Sequence, residues 1–341
     1  MTPTHMAREV AEIPEAAARF LVEGRPALAG AAAALRDRDP KLIVTVARGS
    51  SDHAASYLKY AVEIHAGIPV ASVGPSIASI YGQTLRLTDA ACLGISQSGQ
   101  SPDIVEMMRK AGQGGALTVA ITNFENSPLA VASDYCLALR AGEERSVAAT
   151  KTFVVSALAG LSLLAEWTND PELKSAVERA PESFAAALDL DWSPLSARLS
   201  RASSAFVIGR GPAYAIACEA ALKFKETCGL HAEAYSAAEV LHGPSALVQP
   251  QFPILALGVP DASHSQLCAT ASRLASQGAD VFVTGGGAAG TTALPAVDHL
   301  HPLIAPLVLA VAFYNFVEQL ARRRGFDPDT PPHLRKVTET V

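Results

Sequence analysis

The 341-residue sequence has no cysteine pair at CxxC spacing, no basic run longer than Arg322-Arg323-Arg324 and no apolar stretch long enough to cross a bilayer. Each absence excludes a class of protein. The five cysteines, Cys92, Cys136, Cys218, Cys228 and Cys268, are odd in number and widely spaced in apolar surroundings. They read as reduced core residues of a cytosolic protein rather than a disulfide framework. With a net charge of -6 and no basic cluster, the chain carries no footprint for a nucleic-acid backbone. The longest apolar run, Leu303 to Phe316, is interrupted by Pro306, Tyr314 and Asn315, so no membrane partner is expected. Residues Met1 to Glu12 carry His, Arg and Glu without an apolar centre, which fits neither a signal peptide nor an anchor and leaves the cytoplasm as the default. The nine histidines include no HxxxH pair, and His299 and His301, either side of Leu300, lie near a Pro-rich turn, so no metal is expected.

What remains is a globular composition, 49% hydrophobic and 18% charged, long enough for two compact units. The first 38 residues are Ala-rich with Glu and Arg at helical spacing, which predicts one or two helices. A different pattern follows. Leu42 to Val46 is a β-branched run ending in Arg48-Gly49-Ser50-Ser51, with a helical stretch from Asp52 to His65. Ile68–Ser72, Ala91–Ile95, Leu117–Thr122 and Tyr135–Leu139 repeat the short apolar run. Runs buried on both faces and alternating with helices predict an α/β fold built on a doubly wound parallel sheet. The sentence then recurs: Ala205 to Gly211 echoes Val44 to Gly49, with Gly211 lying 162 residues after Gly49. The same offset takes the Ser96 strand to Ile254–Gly258, so an internal duplication is expected.

The two copies differ at one turn. Ser96-Gln97-Ser98-Gly99-Gln100-Ser101-Pro102 joins a strand to a helix that proline can start, bringing backbone N–H groups, a helix N-terminus and serine hydroxyls together. Such a turn suits a phosphate dianion, although serine turns also serve simply as helix caps. In the second copy Gly258-Val259-Pro260 takes its place. Gly49-Ser50-Ser51 and Val147-Ala148-Ala149-Thr150 are further donor-rich turns expected at the same sheet edge. In the second half, Lys223 and Glu226 share a helix face, either as an ordinary ion pair or as an acid–base pair. His242-Gly243-Pro244 puts an imidazole at an irregular turn, a usual setting for a catalytic group.

The ordered motifs are Arg48-Gly49-Ser50-Ser51, Ser96-Gln97-Ser98-Gly99, Val147-Ala148-Ala149-Thr150-Lys151, Lys223-Phe224-Lys225-Glu226, His231-Ala232-Glu233-Ala234-Tyr235, His242-Gly243-Pro244 and Leu334-Arg335-Lys336-Val337-Thr338-Glu339-Thr340. Together they resemble the SIS (sugar isomerase) family, in particular the isomerase half of glucosamine-6-phosphate synthase and the stand-alone SIS-type glucosamine-6-phosphate deaminases. The resemblance implies two tandem SIS domains, each a flavodoxin-like doubly wound sheet flanked by helices. The expected bounds are 1–38 for a helical segment, 39–188 and 189–325 for the domains, and 326–341 for a tail that joins the active site.

By position, the resemblance implies that Ser96, Gln97, Ser98 and Ser101 hold the phosphate of a hexose 6-phosphate, with Ser50, Ser51, Val147 and Lys223 also at the sugar. It makes Glu226 the base between C1 and C2, His242 the ring opener and Lys336 a candidate for a Schiff base. It implies a homodimer with shared sites and no metal or organic cofactor. Two departures, Ala149 where the synthase has serine and Leu241 where it has lysine, favour the deaminase branch. The chain starts Met1-Thr2-Pro3 without the length for a glutaminase domain, so synthesis from glutamine is not expected. The expected reaction is glucosamine 6-phosphate to fructose 6-phosphate and ammonia. A deglycase of 6-phosphorylated fructose–amino acid adducts, a plain aldose–ketose isomerase and a non-enzymatic sugar-phosphate sensor stay open beside it.

Overall fold

A computed structural model describes residues 3–336. The chain forms two compact units, one from Glu12–Glu144, Lys151–Pro181 and 335–336, the other from 3–11, Arg145–Thr150 and Glu182–Leu334. The first holds β1 (Leu42–Val46), β2 (Val70–Ser72), β3 (Ala90–Ile95), β4 (Leu117–Thr122) and β5 (Tyr135–Ala138). All pairings are parallel, in the order β2-β1-β3-β4-β5. The strands are short, β-branched and buried, as a sheet covered on both faces requires. Val44, Val46 and Cys92 pack there against Ile104, Met107 and Met108 of helix Pro102–Gln113. Helix Lys151–Thr168 is buried over most of its length.

The second unit repeats the design with β6 (Ser204–Gly209), β7 (His231–Ser236), β8 (Pro253–Ala256), β9 (Asp280–Thr284) and β10 (Thr292–Leu294). Its order, β10-β9-β8-β6-β7, matches the first sheet strand for strand when read from the other end. This is the flavodoxin-like order, in which ligands bind beyond the carboxyl ends of the strands. The 162-residue offset holds in detail. Helices Ser50–Ala66 and Pro212–Cys228 are each 17 residues long. Both begin after a glycine of nearly identical backbone, Gly49 at φ 54, ψ -132 and Gly211 at φ 57, ψ -136. Both end on a left-handed glycine, Gly67 and Gly229.

The first 38 residues hold three helices rather than one or two: His5–Ala11, Ile13–Glu23 and Arg25–Arg38. Pro14 and Pro26 each sit in a first turn, where a missing N–H costs nothing, and so restart the helix. Leu303 to Phe316 lies almost wholly in helix Ala305–Arg323, whose Phe313 and Phe316 pack against Phe224 of helix Pro212–Cys228. Among the described residues no helix is long and apolar enough to cross a membrane. None of the five cysteines, all among the described residues, is in a disulfide; Cys92, Cys228 and Cys268 are buried, whereas Cys136 and Cys218 are only partly so.

Candidate active site

In the first unit, β1 and β3 are neighbours, so their following turns open at one carboxyl edge. Ser50 and Ser51 are the first residues of their helix, half-buried behind Gly49. The Ser96–Ser101 turn is built from its own hydroxyls. Gly99 N–H donates to Ser96 Oγ at 3.2 Å and Gln100 N–H to Ser98 Oγ at 3.3 Å. In both bonds the serine oxygen accepts, so neither bond uses the hydroxyl's own proton. Gly99 has a φ of 62°, and a Cβ there would collide with Ser127. Ser101 caps helix Pro102–Gln113 in an extended conformation with no side-chain cap bond, leaving that helix end and its positive dipole toward the turn. Gln97 and Ser98 are half-buried, and Gln97 O accepts from Asn123 N–H at 3.1 Å.

Two ion pairs here have no local signature in the sequence. The Arg48 guanidinium donates through Nε at 3.1 Å and Nη2 at 3.0 Å to the buried Asp103 carboxylate, tying the β1 turn to the β3 helix. Asp103, in a first helical turn, reads in sequence as an ordinary dipole-favoured acid. Lys336 is also paired: its Nζ lies 2.9 Å from Oε2 of the wholly buried Glu144. Thr152 adds its N–H at 3.0 Å and its hydroxyl at 2.7 Å. Burial alone would raise the Glu144 carboxyl, but the Lys336 charge and the Thr152 donors outweigh it and hold it below its ordinary value. The tail residues Val337, Thr338, Glu339 and Thr340 lie outside the described residues.

The Val147 loop belongs to the other unit, where its half-buried backbone donates N–H to Asp329 O at 3.4 Å. Lys223, Glu226 and His242 are in that unit too. Lys223 is fully buried, which rules out the ordinary surface pair. Its Nζ lies 2.5 Å from Glu226 Oε2 and 3.1 Å from Oε1 of the buried Glu219, to which Tyr314 Oη donates at 2.8 Å. Burial depresses an ammonium, yet Glu219 and Glu226 outweigh it and raise the lysine above its usual value. Glu226 keeps 21% of its side chain exposed, so the buried Lys223 ammonium joins one carboxylate that solvent reaches to one, Glu219, that it does not. Glu219, four residues before Lys223, was visible in the sequence as an i,i+4 partner. His242 is exposed at the end of the short turn Glu239–Leu241, its N–H on Glu239 O at 2.9 Å, ahead of Gly243 at φ 136°.

The duplicate of the serine turn is closed. Gly258 stands where Ser96 stands in the first copy, and a Cβ on it would come within 3.3 Å of the His264 ring and collide with Thr284 O. His264 itself occupies the helix position that Pro102 holds in the first copy.

Known proteins bear on this arrangement in three ways. Over 304 residues the chain is 34% identical to the glutamine–fructose-6-phosphate aminotransferase (isomerizing) of Methanothermobacter thermautotrophicus, covering 86% of this chain but only 51% of that enzyme. A crystal structure from Silicibacter pomeroyi DSS-3, provisionally described as a phosphosugar isomerase, is 52% identical, with a TM-score of 0.93 over 96% of this chain and 100% of that one. The C-terminal domain of a glucosamine-fructose-6-phosphate aminotransferase from Francisella tularensis is 28% identical, with a TM-score of 0.86 over 97% of this chain and 99% of that one. The chain thus spans about half the length of the curated relatives it matches. The SIS domain pattern matches twice, at residues 38–165 and 198–322, enclosing all five strands of the first sheet and all five of the second. The duplicated five-stranded units are therefore two SIS domains, and the chain belongs to the SIS domain family.

Proposed function

We propose that the protein is an amino-sugar phosphate deaminase that converts glucosamine 6-phosphate and water to fructose 6-phosphate and ammonia. The observation that carries this reading is the Glu219–Lys223–Glu226 triad: a buried ammonium holding one part-exposed carboxylate in a fixed position. A carboxylate so placed suits proton transfer between adjacent carbons, a step that contributes about 10²- to 10⁴-fold in rate. The serine turn supplies hydroxyl donors and a helix N-terminus for the phosphate.

In the proposed sequence His242 moves a proton from the C1 hydroxyl to the ring oxygen and opens the pyranose. Glu226 takes the C2 proton and returns it to C1, leaving an imine at C2. Water adds to that carbon and ammonia leaves with the nitrogen. Lys336 is ion-paired with Glu144 and must lose a proton before it can attack C2, so hydrolysis by water is the shorter route. The homodimer with shared sites and the cytoplasmic location are carried forward as parts of this reading.

A second reading is favoured by the likeness to the Silicibacter pomeroyi structure, that of a protein provisionally described as a phosphosugar isomerase. It uses the same clamp and base without loss of nitrogen. Incubation with glucosamine 6-phosphate, measuring ammonia and fructose 6-phosphate together, separates the two. The deaminase releases both in equal amounts, and Glu226→Gln lowers the rate at least a hundredfold. Exchange of the C2 proton of a hexose 6-phosphate with no ammonia released identifies the isomerase. Cleavage of a 6-phosphorylated fructose–amino acid identifies a deglycase, and binding without turnover a sensor.

A further inference from the structure

Helix His5–Ala11 carries none of the residues assigned to the chemistry, yet its Glu9 reaches the Val147 loop. Glu9 is 5% exposed, and both its oxygens face that loop. Oε1 accepts from Arg145 N–H and from Ser146 N–H, the latter at 3.2 Å, and Oε2 lies 3.3 Å from the same Ser146 nitrogen. The next amide, Val147 N–H, donates to Asp329 O at 3.4 Å. Asp329 in turn is fastened to the same helix, its carboxylate accepting from His5 N–H at 2.7 Å and Met6 N–H at 2.8 Å. Three consecutive loop amides are thus fixed to this helix, two directly by the Glu9 carboxylate and the third by the backbone carbonyl of Asp329, whose own carboxylate holds the helix's first amides. Successive N–H groups turned to one side form a concavity suited to a negative charge, and here that charge is a buried side chain.

We propose that helix His5–Ala11 is part of the sugar-binding apparatus and that Glu9 is a positioning residue, setting the backbone of the Val147 loop so that it meets the hexose. The inference rests on the reading above in which Val147 lines the sugar. Glu9 acts on the sugar and not on the phosphate, whose turn belongs to the other compact unit and is built from its own hydroxyls. Its signature is a change in the ratio of two affinities, not a general weakening.

The test compares fructose 6-phosphate with inorganic phosphate, each titrated calorimetrically into the full chain. Glu9→Gln keeps the shape and one acceptor oxygen but loses the charge that strengthens the N–H bonds. It is expected to raise the ratio of the sugar-phosphate Kd to the phosphate Kd roughly threefold, and Glu9→Ala roughly tenfold. An unchanged ratio in the Gln variant overturns the proposal, as does an equal loss for both ligands, which marks Glu9 as merely structural. If the wild-type chain binds phosphate but no fructose 6-phosphate, the hexose phosphate reading itself fails and this inference falls with it.

Discussion

Lys223 has no contact with water and touches two carboxylates, so its replacement tests how the buried charges depend on one another. Lys223→Met removes the ammonium and leaves Glu219 buried beside Tyr314 with its positive partner gone. Breaking a buried pair from one side costs about 3–5 kcal/mol. Denaturant unfolding should show that loss for Lys223→Met and a much smaller one for Glu226→Gln, whose carboxylate is in part solvated. The spacing of Lys223 and Glu226 announced their pairing, since three residues on a helix share a face. What spacing did not convey is burial, which depends on Tyr314 arriving from helix Ala305–Arg323, 95 residues beyond Glu219. The Lys336–Glu144 pair was still less legible: its members lie 192 residues apart, and no local pattern links them.

Among the elements, the serine turn depends on one backbone angle. At Gly99, φ 62° is costly for any residue with a Cβ, by about 1–2 kcal/mol before any clash. Gly99→Ala adds a collision with Ser127, so its melting temperature should fall and its affinity for inorganic phosphate with it. A variant with native phosphate affinity would remove the turn from the phosphate site. Strands β1, β3 and β4 were readable to within a residue because burial on both faces makes them unbroken β-branched and apolar runs. Strand β7 has no strand signature in the sequence. It is an edge strand whose His231 is exposed and whose Glu233 is half-buried, so its alternation resembles a loop as much as a strand. The N-terminal helices were undercounted because their alanines carry one continuous helical signal, while the breaks come from Pro14 and Pro26.

At the scale of the whole molecule, pH sensitivity follows from the two buried charges. Glu144 is depressed in the folded state, so its stabilisation is full above its unfolded value near 4.5 and is lost as pH falls through the lower folded value. Lys223 is raised, so its contribution is full below 10.5 and is lost as pH climbs through the higher folded value. Urea midpoints measured across pH should therefore hold a plateau between those limits. In Glu144→Gln the acid decline should flatten, and an acid limb identical to wild type would remove Glu144 as its source. The doubled sheet also shows how two copies of one design come to differ in function. A protein engineer wishing to give the second copy a phosphate clamp would write Ser-Gln-Ser over Gly258-Val259-Pro260, and the graft would fail. The Thr284 carbonyl and the His264 ring already occupy the space of the first new side chain. The imidazole would have to be cut back first, and even then the carbonyl would have to move, so the specialisation of the two halves is sealed by atoms outside the turn itself.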